Sequence, residues 1–229
     1  LILFFLIIPS LLFSQVNETF SDGDFLDNPQ WEGDTANFEI TPDYKLRLNA
    51  PYENNSSYLC LSSEAIDSSV WEFYINYDFN PSSSNYAKVY IISDNKDLLN
   101  PLNGYYLKIG DTEDEVSLYK QAGFDTEKII DGRDNLLDKS PVDLNVKVTR
   151  DLAGNFSLYT DTSSSLNYTQ EGEVEDSSFL YSKYFGVVCT YTKTRSSKFF
   201  FDDFYVEGEA YIDSLPPSIS EFEIISDSS

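Results

Sequence analysis

Residues Val70 to Phe79 read VWEFYINYDF, and this stretch decides the fold. Apolar and polar side chains alternate along it, which is the period of a β-strand that buries one face. The alternation predicts that one set of side chains points into a core, namely Trp71, Phe73, Ile75, Tyr77 and Phe79. The opposite face should then carry Glu72, Tyr74, Asn76 and Asp78.

The same period recurs along most of the chain. NYAKVYII predicts Ala87, Val89 and Ile91 inward and Tyr86, Lys88 and Tyr90 outward, and NGYYLKIG predicts Tyr105, Leu107 and Ile109 inward. Stretches rich in Asn, Pro, Gly, Asp and Ser separate these runs, as expected for turns, and long amphipathic helical patterns are absent. Many short strands indicate an all-β, antiparallel β-sandwich, and about 190 residues suit a larger jelly roll rather than an immunoglobulin domain.

The composition narrows the function. The 229 residues hold 15 Lys and Arg against 39 Asp and Glu, so the formal net charge is −24, and histidine is absent. Such a charge repels nucleic acids and anionic membranes. Without histidine, Ser-His-Asp catalysis and histidine metal sites are excluded. The composition leaves three kinds of function: catalysis by carboxylates, calcium binding, or ligand binding without catalysis.

The two ends of the sequence predict segments outside the sandwich. Residues 1–14, LILFFLIIPSLLFS, match the apolar region of a signal peptide truncated at its start, so the protein should be secreted or displayed at the cell surface. The alternative, a membrane anchor, needs a longer apolar run. We expect the sandwich to cover 15–208, a linker 209–217, and the first strand of a truncated immunoglobulin-like domain 218–229. An acidic disordered tail is the alternative for the last segment.

The two cysteines, Cys60 and Cys189, lie in the strand-like runs SYLCLSS and FGVVCTYT. In an oxidising compartment they could form a disulfide if those strands are adjacent. The alternative is a pair of free, buried thiols that act as small apolar side chains. The sequence leaves both open.

Four motifs together resemble a known superfamily: FSDGDF (Phe20 to Phe25), WEFYI (Trp71 to Ile75), VKVTRDLAGNF (Val146 to Phe156) and FFFDDFYV (Phe199 to Val206). Their order is similar to that of the concanavalin A-like lectin/glucanase, or laminin-G-like, sandwiches. The resemblance implies a concanavalin A-like jelly roll. Three further stretches are NPSSSNYAKVYIISD (Asn80 to Asp94), NGYYLKIG followed by DEVSLYKQAG, and YFGVVCTYTKTRSSKFFFDDF. Together they resemble the N-terminal module of secreted lamin-tail-domain proteins of gliding, type IX-secreting Gram-negative bacteria. This narrower resemblance implies an accessory or adhesive module followed by downstream domains of the same polypeptide.

Glycoside hydrolases of this superfamily carry paired carboxylates on one strand, in patterns such as E-x-D-x-x-E. The nearest matches here are Glu32–Asp34, Glu113–Glu115 and Glu173–Asp176, and none completes the pattern. We therefore expect that the protein is not an enzyme, and we assign no catalytic residues. A glycoside hydrolase is the third alternative, after a binding module and a structural spacer.

Calcium is the cofactor that the resemblance implies, because related carbohydrate-binding sandwiches hold one between the N-terminal segment and the last strand. The matching positions are Asp22, Asp24, Asp202 and Asp203. Strand alternation predicts that either Asp202 or Asp203 points inward, where its carboxylate needs a cation or hydrogen bonds. The alternative to the cation is an inward carboxylate satisfied by backbone N–H groups or tyrosine hydroxyls.

Outward-facing tyrosines and lysines are the candidate ligand-binding residues: Tyr74, Tyr90, Tyr106, Tyr119, Lys88 and Lys108. Flat rings beside ammonium groups suit stacking on and hydrogen bonding to a sugar, so glycans or a cell-surface polysaccharide are the expected partners. Tyrosine is also a good strand former on exposed sheets. A structural spacer without a ligand is therefore the alternative function.

Overall fold

The computed structural model of the protein describes residues 15–163 and 165–211. The predicted signal peptide (1–14), the truncated further domain (218–229) and most of the predicted linker lie outside the described residues. The last described strand ends at Glu209, one residue beyond the predicted end of the sandwich.

Two antiparallel sheets pack face to face, which confirms the predicted all-β sandwich. The first sheet has eight strands: β1 (Val16–Glu18), β3 (Phe38–Ile40), β4 (Leu46–Leu48), β6 (Asp67–Tyr77), β11 (Val142–Arg150), β12 (Asn155–Asp161), β13 (Thr169–Glu175) and β15 (Phe199–Glu209). Their order is β13-β12-β11-β6-β15-β4-β3, and β1 also pairs with β15. The quoted strand, β6, therefore lies at the centre of its sheet.

The second sheet has seven strands: β2 (Glu32–Gly33), β5 (Asn55–Ser62), β7 (Tyr86–Ser93), β8 (Leu102–Gly110), β9 (Glu115–Gly123), β10 (Asp125–Ile130) and β14 (Tyr184–Tyr191). Their order is β10-β9-β8-β7-β14-β5-β2. The helices of the described residues are two short 3-10 turns, Thr35–Asn37 and Lys193–Arg195. Neither has the length or the apolar character that crossing a bilayer requires.

The strand pleat places the core where the sequence predicts it. All five inward side chains of the quoted stretch are buried, and so are the inward side chains of β7 and β8. Across the eight-stranded sheet, β6 pairs with β11 on one side and β15 on the other, so Trp71 lies between Val148 and Val206. The inward faces of the two sheets form one continuous apolar cluster.

Phe204 of β15 is the ring that joins the two sheets. Its centroid lies 5.3 Å from that of Trp31, which precedes β2, and 5.5 Å from that of Phe185 on β14. On its own sheet it lies 6.0 Å from Phe73. Tilted and edge-to-face rings at these separations add to the energy of burial. Phe204 therefore bridges the seven-stranded and eight-stranded sheets.

A β-bulge in β15 makes the prediction of an inward aspartate wrong. The pairing with β6 shifts between Asp202 and Tyr205, and Asp203 adopts a left-handed φ of 52°. The extra residue lets Phe201 and Phe204 both face the core while Asp202 and Asp203 both stay on the outer face. The bulge therefore keeps both carboxylates out of the core between the sheets.

Replacing the bridging ring should cost much of the stability of the fold. We expect Phe204→Ala to lower the free energy of unfolding by about 3–5 kcal/mol, because a large ring is lost from a closed core. Urea unfolding followed by tryptophan fluorescence measures this, with exposed Phe124→Ala as the control that changes little. A loss below about 1 kcal/mol for Phe204→Ala would show that the two sheets do not depend on this contact.

Candidate functional site

The outer face of the seven-stranded sheet brings together five of the six predicted ligand-binding residues. Strand β7 pairs with β8 so that Lys88 lies opposite Lys108 and Tyr90 opposite Tyr106. Strand β9 then places Tyr119 opposite Tyr106. The pleat of three neighbouring strands thus collects them on one surface.

The three tyrosine rings of this surface pack against one another. Tyr106 and Tyr119 are stacked, with centroids 5.2 Å apart and planes 7° apart. Tyr90 lies 5.0 Å from Tyr106, and its hydroxyl donates a hydrogen bond to Oε1 of Gln121 at 2.8 Å. These contacts fix the rings in place and leave their faces in contact with protein.

The expectation that Tyr90 and Tyr106 are exposed is wrong. They are only 1% and 2% exposed, because a second, smaller apolar cluster covers this face. Leu98, from the segment between β7 and β8, contributes to that cluster together with Leu102 and Val188. The central tyrosines are therefore an apolar floor rather than an open stacking platform.

Beside this floor lies a cleft of about 270 Å³, the outer cleft. Tyr86, Lys88 and Tyr90 of β7 form one part of its lining, and Gln121, Thr126 and Thr190 contribute polar atoms from β9, β10 and β14. Phe124 and Leu99 lie at its rim and are 81% and 48% exposed. None of the described residues that line it is an aspartate or a glutamate.

Phe124 is the lining residue that the sequence analysis missed. It connects β9 to β10 at the tip of their hairpin, directly after Gly123, whose φ of +64° suits glycine. The turn keeps the ring away from the sheet, so it remains exposed. The signal in the sequence is a large aromatic within the turn AGFDT, where polar residues are usual.

The two lysines of the surface differ in their partners. The Lys108 ammonium pairs with Asp111 and lies 4.5 Å from the Tyr86 ring centroid. The Lys88 ammonium lies 4.5 Å from the Tyr106 ring centroid, and no carboxylate of the described residues is within 4 Å of it. Burial, and then repulsion from Lys108, lowers the pKa of Lys88 to about 8.

Tyr74, the sixth predicted residue, lies apart from the others. It is on β6, so it faces outward from the eight-stranded sheet. Its hydroxyl donates to Oδ1 of Asp143 at 2.5 Å, and the Lys45 ammonium lies 5.1 Å from its ring centroid. That sheet also carries a hollow of about 310 Å³, lined in part by Glu72, Asn145 and Asp203. Tyr74 cannot act with the residues of the outer cleft.

The structure does not assemble the predicted calcium ligands. Asp22 accepts the backbone N–H of Asp24 at 3.0 Å, and Asp24 accepts those of Phe25 and Leu26. Among the described residues, the set of three or more carboxylates close enough to share a cation contains none of the four predicted aspartates. No set of three carboxylates therefore forms at the predicted position among the described residues, and the calcium ion there stays a prediction.

The carboxylates that do come together are those of Glu113, Glu115 and Asp134, within 4.8 Å of one another. The Lys128 ammonium lies 2.7 Å from both glutamates, so a cation of the chain itself already compensates their charge. The sequence pairs Glu113 and Glu115 only as a near match to the catalytic pattern, and it gives no sign of Asp134, which is distant in sequence.

The other carboxylates near the catalytic pattern have structural partners. Asp34 accepts the backbone N–H of Tyr58 at 3.0 Å. Asp176 accepts the Tyr105 hydroxyl at 2.5 Å and the Lys120 ammonium at 2.8 Å. Burial alone would raise the pKa of Asp176, but these hydrogen bonds lower it to about 2. Such a group stays ionised at neutral pH and cannot serve as a general acid.

The two cysteines are free, which excludes a disulfide between them in this structure. Their strands are adjacent, but Cys60 lies opposite Gly186 and Cys189 lies opposite Ser57. Cys189 packs in the core between the sheets, whereas Cys60 belongs to the apolar cluster on the outer face. Thiols on opposite faces of a sheet cannot reach the geometry of a disulfide.

Comparison with known proteins identifies the fold and not a family. No protein-family profile matches the chain, and no curated protein matches it. Among solved structures, it is similar to the carbohydrate-binding module CBM66 from Bacillus subtilis, with a TM-score of 0.57, 15% identity, and coverage of 78% of this chain and 95% of that one.

Two further solved domains are similar to the same extent. The VIP36 exoplasmic/lumenal domain, solved in a Ca²⁺/Man-bound form, has a TM-score of 0.58 at 12% identity and covers 85% of this chain and 91% of that one. The legume lectin-like domain from Entamoeba histolytica has a TM-score of 0.58 at 10% identity, with 85% and 97% covered. The chain thus has the concanavalin A-like sandwich of these neighbours.

Asp202 should make stability depend on pH. Burial, with a contribution from neighbouring Asp203, raises its pKa from 3.8 to about 6. Between these values the folded chain keeps a proton that the unfolded chain has lost, so its contribution to the free energy of unfolding falls as pH rises. We expect Asp202→Asn to stabilise the protein at pH 7.5 and to have little effect at pH 3.5.

Thermal unfolding at the two pH values measures the difference, with Asp125→Asn, at an exposed position in the other sheet, as the control. Equal melting temperatures for Asp202→Asn and the unmodified chain at pH 7.5 would contradict the raised pKa.

Proposed function

We propose that the protein is a non-enzymatic carbohydrate-binding module and that the outer cleft is its binding site. The observation that carries this proposal is an exposed aromatic ring, Phe124, at the rim of a cleft with a fixed polar lining. Phe124 is 81% exposed at the hairpin tip, the highest exposed fraction among the large hydrophobic side chains of the described residues, so its ring face is open to a ligand. The lectin-like neighbours support the proposal through their shared fold.

The lining supplies the two kinds of contact that a sugar needs. The face of Phe124 can stack on the apolar C–H face of a pyranose or furanose ring. Asn100, Thr126 and Thr190 place amide and hydroxyl groups in the same lining, and Lys88 adds an ammonium. A volume of about 270 Å³ is at the low end for small-molecule sites, so one sugar unit would enter and the rest of a chain would lie outside.

The binding we propose needs no metal. Calcium in proteins takes oxygen ligands, mainly from carboxylates, and no carboxylate belongs to the described lining of the outer cleft. We therefore expect chelators to leave glycan binding by the cleft unchanged.

The setting of the module follows from the sequence rather than from the fold. We propose that it is exported, works at the cell surface or outside the cell, and acts as an accessory or adhesive domain beside other domains of a larger protein. The resemblance to N-terminal modules of secreted lamin-tail-domain proteins supports this, as does the apolar segment 1–14.

One observation favours a second function, that of a structural spacer. Tyr90 and Tyr106 are buried in an apolar cluster with Leu98, Leu102 and Val188, so most of the aromatic surface is closed. A spacer has no need of an open face. A spacer, however, gives no function to the exposed ring of Phe124 or to the cleft beside it.

Replacing the ring of Phe124 distinguishes a carbohydrate-binding module from a structural spacer. We expect Phe124→Ala to weaken the strongest glycan interaction by about fivefold, because stacking on one ring is worth about 1 kcal/mol, while the melting temperature stays the same. Leu152→Ala is the matched control, since Leu152 is 73% exposed at the tip of the β11–β12 hairpin on the other sheet.

The full chain is first screened on a glycan array in calcium and in EDTA, and calorimetry then measures the affinity of each variant for the best glycan. No binding to any glycan, or equal affinities for Phe124→Ala and Leu152→Ala, would contradict a binding role of the cleft and favour the spacer.

A further inference from the structure

We infer that the saccharide bound by the outer cleft is acidic and that its carboxylate pairs with the ammonium of Lys88. This inference rests on the proposed function and adds the chemical class of the ligand. The charged side chain of the described lining, Lys88, is positive, whereas the net charge of the chain is negative.

Lys88 is partly buried, and among the lysines that lie within the described strands it is the one without an acidic partner. Most others have one among the described residues: Lys45 with Asp43, Lys96 with Glu32, Lys108 with Asp111, Lys120 with Asp176, Lys128 with Glu115, Lys147 with Glu72 and Lys198 with Asp78. In a chain with 39 carboxylates against 15 basic residues, an ammonium on the sheet without a carboxylate is unexpected.

An unpaired, partly buried ammonium costs free energy, because it has lost part of its hydration. The ring of Tyr106, 4.5 Å away, compensates only a part of that cost through a cation–π contact. A carboxylate entering the cleft would supply the missing partner. A hydrogen bond between ionised groups is stronger than one to a sugar hydroxyl, so an acidic sugar gains more than a neutral one.

The remaining lining favours the same ligand. A cleft for a neutral sugar commonly uses carboxylates as acceptors for hydroxyl groups, and the described lining here has no aspartate or glutamate to repel an anion. Lys108 is the next cation, directly opposite Lys88 in the β7–β8 pair, and its own charge is shared with Asp111. Lys88 is therefore the free positive charge that the cleft offers.

The net charge of −24 limits what this ligand can be. Repulsion between the chain and an anion acts over the Debye length, about 8 Å at 0.15 M salt, whereas the contact with Lys88 acts at hydrogen-bond distance. One carboxylate in the cleft gains from Lys88, and each further charge outside it meets only repulsion. A sugar with a single uronate fits better than a polyanion.

The test compares ligands that differ only in charge. The probes are trisaccharides with one terminal uronic acid (galacturonic, glucuronic or mannuronic), each as the free acid and as its neutral methyl ester. Calorimetry at pH 7 and 0.15 M salt measures the affinity of the full chain for each pair. The variants are Lys88→Gln, charge-conserving Lys88→Arg, and Lys183→Gln, which removes an exposed lysine without an acidic partner among the described residues.

We expect at least one free acid to bind about fivefold or more tightly than its ester. Lys88→Gln should abolish that preference while leaving the affinity for the ester within about twofold, and Lys88→Arg should restore it. Lys183→Gln should behave as the unmodified chain. Melting temperatures of all variants confirm that they are folded.

Two results would overturn the inference. Equal binding of acids and esters, both sensitive to Phe124→Ala, would show a neutral-glycan site and leave the proposed function intact. A preference for acids that survives Lys88→Gln would place the carboxylate elsewhere. Failure of every acid, ester and neutral glycan to bind would overturn the proposed function as well.

Discussion

The side chains of β7 and β8 alternate between the two faces of the seven-stranded sheet, and the rest of the structure depends on this pleat. Val89 and Leu107 enter the core between the sheets, while their neighbours Lys88 and Tyr106 must point the other way. One constraint of strand geometry thus builds the apolar core and directs a lysine and aromatic rings to the outer face. A one-residue shift in the register of either strand would therefore exchange the core face and the outer face together.

The outer face is built in two steps. Neighbouring strands align Tyr90, Tyr106 and Tyr119. Leu98 and Val188 belong to the same apolar cluster as these rings and exclude solvent from it. This covering removes the broad aromatic platform and leaves a smaller opening, whose rim is formed by Phe124 and Leu99. A narrow cleft with a polar lining suits recognition of one sugar unit rather than of a long chain lying across the sheet.

The sequence predicts well whatever depends on strand period alone. The inward side chains of β6, the sandwich class and the shared surface of Lys88, Lys108, Tyr90, Tyr106 and Tyr119 all follow from alternation, so neighbouring residues suffice to find them. Tyr74 shares the outward direction but belongs to the other sheet, and direction alone carries no information on which sheet a strand joins.

Features that depend on contacts distant in sequence are not predicted. A single extra residue at Asp203 reverses the expected direction of an aspartate, and no local pattern marks that bulge. The covering of Tyr90 depends on where the segment with Leu98 folds back. The separation of Cys60 from Cys189 depends on the register of β5 and β14, and the grouping of Asp134 with Glu115 depends on the packing of two loops.

The most direct test of the account is to map a bound sugar on the full chain by NMR. Backbone and side-chain resonances of isotope-labelled protein are followed while a trisaccharide with one galacturonic acid unit, and then its methyl ester, is added. We predict that the largest changes fall on Phe124, Lys88, Thr126 and Leu99, which surround the outer cleft. Changes centred on Asn145, Tyr168 and Tyr205, in the hollow of the eight-stranded sheet, would contradict the assignment of the site.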